Sequence, residues 1–246
     1  MTLNNLTAIV TGGCSGLGHA TAIALRDAGA NVSLFDLNEE LGAQRVEELG
    51  SDNTLFTKVD VRDEASVQAA IDATTSKFGA ISLVVNCAGI APAKRLLDKE
   101  GNPAPLGDFQ KTIDINLVGS FNVSRLVAAA MAKQSPINDE GERGLIVNTA
   151  SVAGYEGQIG QTAYAASKAA AQRIVESMAL ELKDYDIRVN GVMPSTADTP
   201  ANRESMPDAD FSKWVRPAQI ADAMAYLASD SASAVTGQAL GVYNKT

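Results

Sequence analysis

Short apolar runs alternate with longer segments of helical periodicity along this chain. The apolar runs, which are typical of buried strands, lie at residues 6–10, 31–35, 55–59, 81–85, 144–150, 187–193 and 238–243. The segments with helical periodicity lie at residues 20–28, 39–49, 63–78, 108–131 and 217–228, with one more around Tyr164 that ends near residue 183. This alternation predicts an α/β fold: a single doubly wound parallel sheet of about seven strands, with helices on both faces.

Two segments interrupt the alternation. Residues 91–107 contain proline, glycine and charged residues, and we expect them to form an exposed excursion. Residues 195–216 are polar and broken by proline, and they are predicted to form a mobile flap that selects the substrate, with Phe211 and Trp214 as its apolar anchors. The alternative is that Trp214 simply pins the flap to the helix that follows. No linker or repeat divides the chain, so one domain is expected over residues 1–246.

Composition and charge narrow the classes of function. Hydrophobic residues make up 46% of the 246 positions, which is ample for a large core and argues against disorder. The formal net charge is −9 and no basic stripe is present, so we expect neither direct nucleic-acid binding nor attachment to an anionic membrane. No apolar run approaches the roughly 18 residues that a membrane span requires.

The N-terminus and the cysteines indicate a cytoplasmic protein. The chain enters its first strand without a basic leader, so no signal peptide is expected. Cys14 and Cys87 lie beside glycines in predicted loops, and we expect both to be reduced thiols. His19 is the only histidine, which excludes a histidine-based triad and a multi-histidine metal site. No metal site is therefore predicted.

The sequence TGGCSGLG at residues 11–18 joins the first strand to the first helix. In that context, backbone N–H groups and the helix dipole face an anion, and glycines let it approach closely. The spacing is G-x-x-x-G-x-G, which differs from the G-x-G-x-x-G of the long dinucleotide-binding dehydrogenases. The pattern favours a phosphate site over a plain strand–helix turn.

Carboxylates follow the second and third strands. Asp36 lies about 20 residues after the glycines, where it would accept hydrogen bonds from an adenosine ribose. A 2′-phosphate there would meet like charge, and no arginine follows directly, so NAD is the expected cofactor. A helix-capping role for Asp36 is the alternative and is compatible with ribose binding. Asp60 and Val61 lie where an adenine ring would rest.

A serine, a tyrosine and a lysine follow the fifth strand. Ser151 ends that strand, whereas Tyr164 and Lys168 are four residues apart and share one face of the next helix. A phenol normally titrates near pH 10, and a neighbouring ammonium lowers that pKa, which makes tyrosine a usable acid or base. A surface Tyr/Lys pair would have the same spacing by chance. Asn116 lies inside a predicted helix, where asparagine is a mild misfit and suggests a local task.

Taken together, these residues resemble the short-chain dehydrogenase/reductase family over essentially the full chain, which implies a Rossmann-like fold. Residues 1–180 are most similar to the type-2 3-hydroxyacyl-CoA dehydrogenases, also called 17β-hydroxysteroid dehydrogenases type 10. The matching stretches are TGGCSGLG, VNCAGIA, DFQKTIDINLVGSFNVSRLVAAAM and IVNTASVAGYEGQIGQTAYAASK. The resemblance implies an NAD-dependent oxidoreductase that acts on a secondary alcohol or ketone, such as a 3-hydroxyacyl-CoA, and assembles as a homotetramer.

The resemblance also implies a role for each catalytic residue. Tyr164 would exchange a proton with the substrate oxygen, and Ser151 would hydrogen-bond that oxygen. Lys168 would lower the pKa of Tyr164 and hold the nicotinamide ribose. Asn116 would hold a water that links Lys168 to solvent.

The implied cofactor-binding residues extend along the chain. They are Gly12, Ser15, Gly16, Leu17 and Gly18 at the pyrophosphate, Asp36 at the ribose, Asp60 and Val61 at the adenine, Cys87 and Gly89 behind the adenosine, Ala197 and Thr199 at the carboxamide, and Tyr164 and Lys168 at the nicotinamide ribose.

The chain departs from that subgroup after the sixth predicted strand. Pro194-Ser195 replaces the frequent Pro-Gly, and the C-terminus GVYNKT lacks the usual Asp-Gly-Gly ending. The flap is shorter and resembles bacterial short-chain oxidoreductases and, distantly, dihydropteridine reductases. Two alternatives therefore stay open: a reductase of ketones, quinones or pteridines, and a non-catalytic dinucleotide-binding sensor. The intact catalytic set argues against the sensor.

Overall fold

The computed structural model describes residues 3–4 and 6–245, and its centre is one parallel sheet. The seven strands stand in the order β3-β2-β1-β4-β5-β6-β7, and every neighbouring pair is parallel. Their bounds are β1 Thr7–Thr11, β2 Asn31–Asp36, β3 Thr54–Lys58, β4 Leu83–Asn86, β5 Gly144–Thr149, β6 Ile187–Pro194 and β7 Ala239–Val242. The predicted doubly wound α/β fold is confirmed.

Helices cover both faces of the sheet. Their bounds are α1 Gly16–Asp27, α2 Glu39–Leu49, α3 Glu64–Phe78, α4 Leu106–Ile113, α5 Ser120–Met131, α6 Thr162–Leu182, α7 Pro200–Ser205 and α8 Pro217–Ala228. Two hydrophobic clusters form, one on each side of the sheet. The inner strands are buried on both faces, which explains why they are continuous apolar runs in the sequence. None of the helices in the described residues is long and apolar enough to cross a membrane.

Two helices differ from the prediction. Helix α1 begins at Gly16 rather than at residue 20, so two of the motif glycines lie in its first turn. The predicted helix over 108–131 begins earlier, at Leu106, and it passes through a π-helical segment, Asp114–Gly119, before α5. Asn116 lies in that segment. Apolar periodicity misses both features because the side chains that face the core keep nearly the same spacing.

The excursion before α4 lies against the turn that precedes α6. Leu97 and Pro103 form an isolated antiparallel bridge, so the excursion folds back on itself. The N–H of Lys94 donates to the carbonyl of Gly160 at 2.8 Å, just before α6 begins. The excursion therefore contacts the turn that leads into α6.

The flap is closed at its base. Ala197 and Val215 pair in a parallel bridge, and the N–H of Val215 donates to the carbonyl of Thr196 at 2.9 Å. Trp214 is only 6% exposed, and its ring lies 4.7 Å from that of Phe211. Trp214 is therefore a buried residue at the end of the flap, with its ring near that of Phe211.

A buried ion pair lies at the amino ends of the strands, opposite their carboxyl ends. The Nε of Arg188, near the start of β6, donates to the Glu142 carboxylate at 2.8 Å, and both side chains are about 10% exposed. The same guanidinium donates to the carbonyls of Leu227 and Ala232. Arg188 therefore joins β6 to the segment before β5 and to the end of α8.

We expect Arg188→Met to lower the free energy of unfolding by about 3–5 kcal/mol, because it leaves Glu142 buried without its partner. Urea denaturation at one protein concentration measures the change. The matched control is Arg173→Met, whose pair with Glu176 is largely exposed and is worth less than about 1 kcal/mol. Equal effects of the two substitutions would contradict the assignment.

Candidate active site

A cleft of about 580 Å³ opens at the carboxyl ends of the strands. From β1 the chain continues to β2 on one side, whereas from β4 it continues to β5 on the other side. Where the strand order of a parallel sheet reverses in this way, a crevice opens at the carboxyl ends of the strands. Every predicted catalytic or cofactor-binding residue lines this cleft except Asn116. The lining residues among them are Gly12, Ser15, Gly16, Leu17, Gly18, Asp36, Asp60, Val61, Cys87, Gly89, Ser151, Tyr164, Lys168, Ala197 and Thr199.

The glycine-rich turn forms a concave surface of backbone atoms, the cradle, which residues larger than glycine would fill. A Cβ on Gly18 would lie 2.2 Å from the carbonyl oxygen of Gly12, so α1 packs against β1 more closely than any other residue allows. Gly16 has a φ of +52°, and nothing lies within 4 Å of its Cβ position. Ser15 and Gly16 are exposed in the cleft at the start of α1, where the helix dipole favours an anion. This cradle fits a phosphate group.

Asp36 ends β2 beside this cradle. One carboxylate oxygen accepts the N–H of Cys14 at 3.1 Å, and the other accepts the N–H of Asn38 at 3.1 Å. The cap of α2 is Asn38, whose side chain accepts the N–H of Leu41, so Asp36 does not cap that helix. The carboxylate is held at the cleft wall by backbone N–H groups.

Arg45 on α2 was missed by the sequence analysis. Its Nε donates to the carbonyl of Cys14 at 3.2 Å, and its Nη1 donates to Glu48 at 2.7 Å. An arginine thus approaches the cradle from the next helix, although none follows Asp36 directly. The ion pair with Glu48 offsets its charge.

The predicted adenine residues lie at the end of the cleft beyond β3. The carboxylate of Asp60 accepts two hydrogen bonds from the guanidinium of Arg62, at 2.9 and 2.6 Å, and this partner lowers the pKa of Asp60. The carbonyl of Val61 accepts from Asn122 on α5 at 2.9 Å. A Cβ on Gly119 would lie 2.5 Å from the Val61 side chain, so the π-helical segment packs directly on this loop.

Ser151, Tyr164 and Lys168 meet at the other end of the cleft. Ser151 follows β5, and its hydroxyl accepts the N–H of Ala153 at 3.2 Å. The buried Nζ of Lys168 donates to the carbonyl of Thr149 at 2.6 Å and lies 5.6 Å from the centre of the Tyr164 ring. The strand end and the helix face therefore bring the three groups together.

Burial sets the pKa values of these groups. Burial raises the pKa of the Tyr164 phenol, and a hydrogen bond with Ser151 opposes that rise. Burial lowers the pKa of Lys168 to about 8. We predicted that Lys168 would lower the pKa of Tyr164, but the direction here is upward. The Lys168 ammonium is bonded to the Thr149 carbonyl instead, and the loss of water around the phenol outweighs other effects.

Asn116 connects three segments from beneath the cleft. Its side-chain oxygen accepts the N–H of Ile90 at 2.8 Å, and its nitrogen donates to the Ile90 carbonyl at 2.9 Å. The same nitrogen donates to the Ser167 hydroxyl at 3.1 Å, and Ser167 donates to the Tyr164 carbonyl. Asn116 thus ties the loop after β4 to the helix that carries Tyr164 and Lys168.

The start of the flap closes the cleft. The Thr199 hydroxyl accepts the N–H of Asn202 and begins α7, and the Asn202 side chain donates to the Ala197 carbonyl at 2.8 Å. Behind them, Cys87 accepts a hydrogen bond from Thr149 at 3.6 Å, and burial raises the pKa of its thiol to about 11. Cys87 is therefore an uncharged residue of the cleft wall.

Several lining residues carry little or no signal in the sequence. They are Gln158 and Gln161 before α6, and Asn202 and Met206 in the flap. Each belongs to a polar loop, and spacing alone does not show which loop residues face inward. Gln161 has one weak indicator, since it lies three residues before Tyr164 and so shares its side of the helix.

Comparisons with known proteins agree with this geometry. The short chain dehydrogenase family matches residues 6–210. A 3-hydroxyacyl-CoA dehydrogenase type-2 from Drosophila melanogaster is 47% identical over 199 residues, which cover 80% of this chain and 77% of that protein. A 3-oxoacyl-[acyl-carrier-protein] reductase from Thermotoga maritima is 33% identical and covers 98% of both chains.

A solved structure extends the likeness over nearly the whole chain. The crystal structure of a 3-hydroxyacyl-CoA dehydrogenase type-2 from Mycobacterium avium superposes with a TM-score of 0.90 and 39% identity, covering 98% of this chain and 96% of that one. With the cradle, the cleft and the serine–tyrosine–lysine set already described, these similarities confirm the resemblance noted in the sequence. The chain belongs to the short-chain dehydrogenase family and is an oxidoreductase that acts on hydroxyl and keto groups.

Proposed function

We propose that the protein is an NAD-dependent dehydrogenase that interconverts a 3-hydroxyacyl-CoA, or a similar hydroxy compound, and its ketone. The observation that carries this proposal is the convergence of Ser151, Tyr164 and Lys168 in the cleft that also contains the glycine cradle. The similarity to 3-hydroxyacyl-CoA dehydrogenases type-2 supports the substrate class.

The residues present fit a nicotinamide dinucleotide. The exposed turn at Ser15 and Gly16 would hold its pyrophosphate, Asp36 the adenosine ribose, and Asp60 and Val61 the adenine. Lys168 would hold the second ribose, and Ala197 with Thr199 would face the carboxamide. Bound there, the cofactor would supply the hydride chemistry that interconverts the alcohol and the ketone.

Side chains of the protein itself would donate and accept the proton of the reaction. A phenol is protonated at neutral pH, and burial raises the pKa of Tyr164 further, so its proton is ready for donation to the oxygen of a ketone. The Ser151 hydroxyl would hydrogen-bond the same oxygen and fix the carbon in place. In the opposite direction the phenolate is needed, and the positive charge of Lys168 below its pKa of about 8 favours that form.

Asn116 takes part as a positioning residue. Its bonds to Ile90 and Ser167 hold α6 against the loop after β4. The six residues of the π-helical segment break the usual bonding pattern of the helix, and such segments often occur at functional sites. We retain the proposal that Asn116 holds a water linking Lys168 to solvent.

Flap 195–216 is proposed to select the substrate within a single domain. Asn202 and Met206 supply its contribution to the cleft wall.

The composition of the flap keeps a second function open, the reduction of ketones, quinones or pteridines. Acetoacetyl-CoA with NADH separates the two, because loss of NADH absorbance with this substrate, and none with a quinone or a pteridine, supports the dehydrogenase.

Assembly and compartment are also proposals. Apolar side chains are exposed along α4 to α5 and on α6, where a soluble monomer would favour polar residues; they include Phe109, Val118, Phe121 and Leu180. This surface supports the homotetramer implied by the family resemblance. The free thiols of Cys14 and Cys87 support a cytoplasmic location.

NADH should be preferred over NADPH, because a 2′-phosphate near Asp36 meets like charge at a cost of about 1–4 kcal/mol. Asp36→Asn should lower the NADH/NADPH ratio of kcat/KM by about tenfold or more. The matched control is Asp72→Asn, an exposed carboxylate on α3 outside the cleft. Equal kcat/KM for both cofactors in the wild type would refute the assignment of Asp36.

Tyr164→Phe should lower kcat by about 10²–10⁴ because it removes the transferable proton and keeps the ring. The Kd for NADH, measured by fluorescence, should stay nearly unchanged. Tyr185→Phe is the control, since Tyr185 is exposed beyond the end of α6 and lies outside the cleft. A Tyr164→Phe enzyme that keeps half of its turnover would show that another group is the acid.

Lys168 should give stability a distinct pH dependence. Its pKa is about 8 in the folded protein, whereas the reference value for an unfolded chain is 10.5. Between these two pH values the unfolded chain therefore binds more protons than the folded protein, and the free energy of unfolding rises with pH. The rise should approach about 1.4 kcal/mol per pH unit, and Lys168→Met should lack it. Urea denaturation from about pH 7 to about pH 10 measures this, with Lys58→Met, an exposed lysine, as control. Parallel curves for wild type and Lys168→Met would show that the ammonium is not desolvated.

A further inference from the structure

A charged side chain on the flap has no role in the mechanism described so far. Arg203 belongs to α7, whose residue Asn202 lines the cleft together with Met206, whereas Arg203 itself does not line it. The Arg203 side chain is 52% exposed. An arginine with that exposure can stay solvated without protein partners, so the contacts that it makes call for an explanation.

Two parallel hydrogen bonds join Arg203 to the start of the flap. Its Nε donates to one carboxylate oxygen of Asp198 at 2.5 Å, and its Nη2 donates to the other at 2.9 Å. This two-point geometry is the stronger form of an arginine–carboxylate pair. The hydrogen bonds from Arg203 also lower the pKa of the Asp198 carboxyl, so both groups are charged at neutral pH.

The same guanidinium lies over an aromatic ring near the other end of the flap. Its central carbon is 4.6 Å from the centre of the Phe211 ring, within the range of a cation–π contact. The Phe211 ring in turn lies 4.7 Å from the buried ring of Trp214. One side chain on α7 therefore contacts both the segment that enters the flap and the segment that leaves it.

Other side-chain hydrogen bonds of α7 are local. The Asn202 side chain donates to the Ala197 carbonyl, and the Thr199 hydroxyl accepts the N–H of Asn202. The Ser205 hydroxyl donates to the Asn202 carbonyl. These three bonds lie within residues 197–205, so they shape α7 without joining it to the end of the flap. Arg203 makes that connection through Phe211.

We propose that Arg203 is a positioning residue which, by joining Asp198 to Phe211, forms a latch that holds α7 over the cleft. Asn202 and Met206 are thereby placed in the cleft wall before the substrate binds. The inference rests on the proposed role of the flap in substrate binding, and it deepens that role by naming the contact that keeps the flap in place.

Such a latch acts on substrate binding and not on the chemical step. When only a fraction of the molecules hold α7 over the cleft, the apparent affinity for substrate falls by that fraction. Saturating substrate draws α7 back over the cleft, so turnover at Ser151 and Tyr164 is the same as before. Loss of the latch therefore raises KM and leaves kcat unchanged.

The first test is the substitution Arg203→Met in the full-length protein, assayed with acetoacetyl-CoA and NADH. The KM for acetoacetyl-CoA should rise by about five- to thirtyfold, as expected for the combined loss of an exposed ion pair and a cation–π contact. The kcat and the Kd for NADH should stay within about threefold. Lys213→Met is the matched control, because it removes the same charge from the same flap and its pair with Asp210 is exposed and 3.8 Å long. It should change none of these values.

A second substitution separates a latch from direct contact between Arg203 and the phosphates of CoA. Asp198→Asn removes the carboxylate charge and keeps the shape of the side chain. It should raise KM as Arg203→Met does, and the two effects should not add in the double variant because both act on one contact. If Arg203 bound the anionic substrate directly, Asp198→Asn would leave KM unchanged or lower it, and the inference would be overturned.

The fluorescence of Trp214 gives a readout that needs no substrate. Trp214 is the only tryptophan of the chain, and its buried ring lies beside Phe211. Release of Phe211 from the latch exposes that ring, so Arg203→Met and Asp198→Asn should increase its quenching by acrylamide. Lys213→Met should not. Quenching of Arg203→Met that equals the wild type overturns the inference.

The remaining outcomes also decide the matter. A lower kcat at unchanged KM would place the effect of Arg203→Met on the chemical step and overturn a role in positioning. Weaker NADH binding or a lower urea midpoint would mark Arg203 as generally structural and overturn it too. If the wild type does not reduce acetoacetyl-CoA, the proposed function fails alone, and the quenching of Trp214 decides whether the latch exists.

Discussion

The hydrogen bond from the Lys168 ammonium to the Thr149 carbonyl is the contact at the centre of the candidate active site. It joins the last residue of β5 to the second turn of α6 at 2.6 Å in a buried environment. Charge-assisted bonds of this kind are among the stronger ones in proteins. Ser151 follows Thr149 by two residues and Tyr164 precedes Lys168 by one helical turn. This bond therefore holds the three groups together, beside the bonds of Asn116 and the packing of α6 in the core.

Burying the Lys168 ammonium is unfavourable in free energy. An ammonium that has lost its water is destabilised, which is why its pKa falls from 10.5 to about 8. The phenol of Tyr164 is desolvated as well, and its pKa moves upward. Proteins commonly keep such unfavourable burial where chemistry needs it. At the amino ends of the strands, by contrast, the buried charge of Arg188 is paired with Glu142 and bonded to backbone carbonyls.

Most of the fold could be predicted from the sequence because its signals are local. Seven apolar runs between periodic segments lead directly to a seven-stranded parallel sheet. The glycine motif, Asp36 and the Tyr164/Lys168 pair could be identified for the same reason, since each occupies a strand end or one helical face. All of them line the cleft.

What sequence reasoning missed depends on contacts between distant segments. Arg45 reaches the glycine turn from α2, and Gln161 is held by a turn that the excursion before α4 supports. The π-helical segment around Asn116 arises from close packing against Val61, which no periodicity reveals. The pKa of Tyr164 was assigned from a neighbouring charge, whereas burial, a property of the whole fold, determines its direction.

The bridge between Ala197 and Val215 has a consequence for the segment that it closes. Because the bridge fixes both ends of the segment, the residues between them form a loop whose closure is set at its base. The entropy of closing a loop grows only slowly with length, by about 0.6 kcal/mol for each doubling. The length of this segment can therefore change at little entropic cost, because the bridge sets where the segment leaves and rejoins the body of the protein.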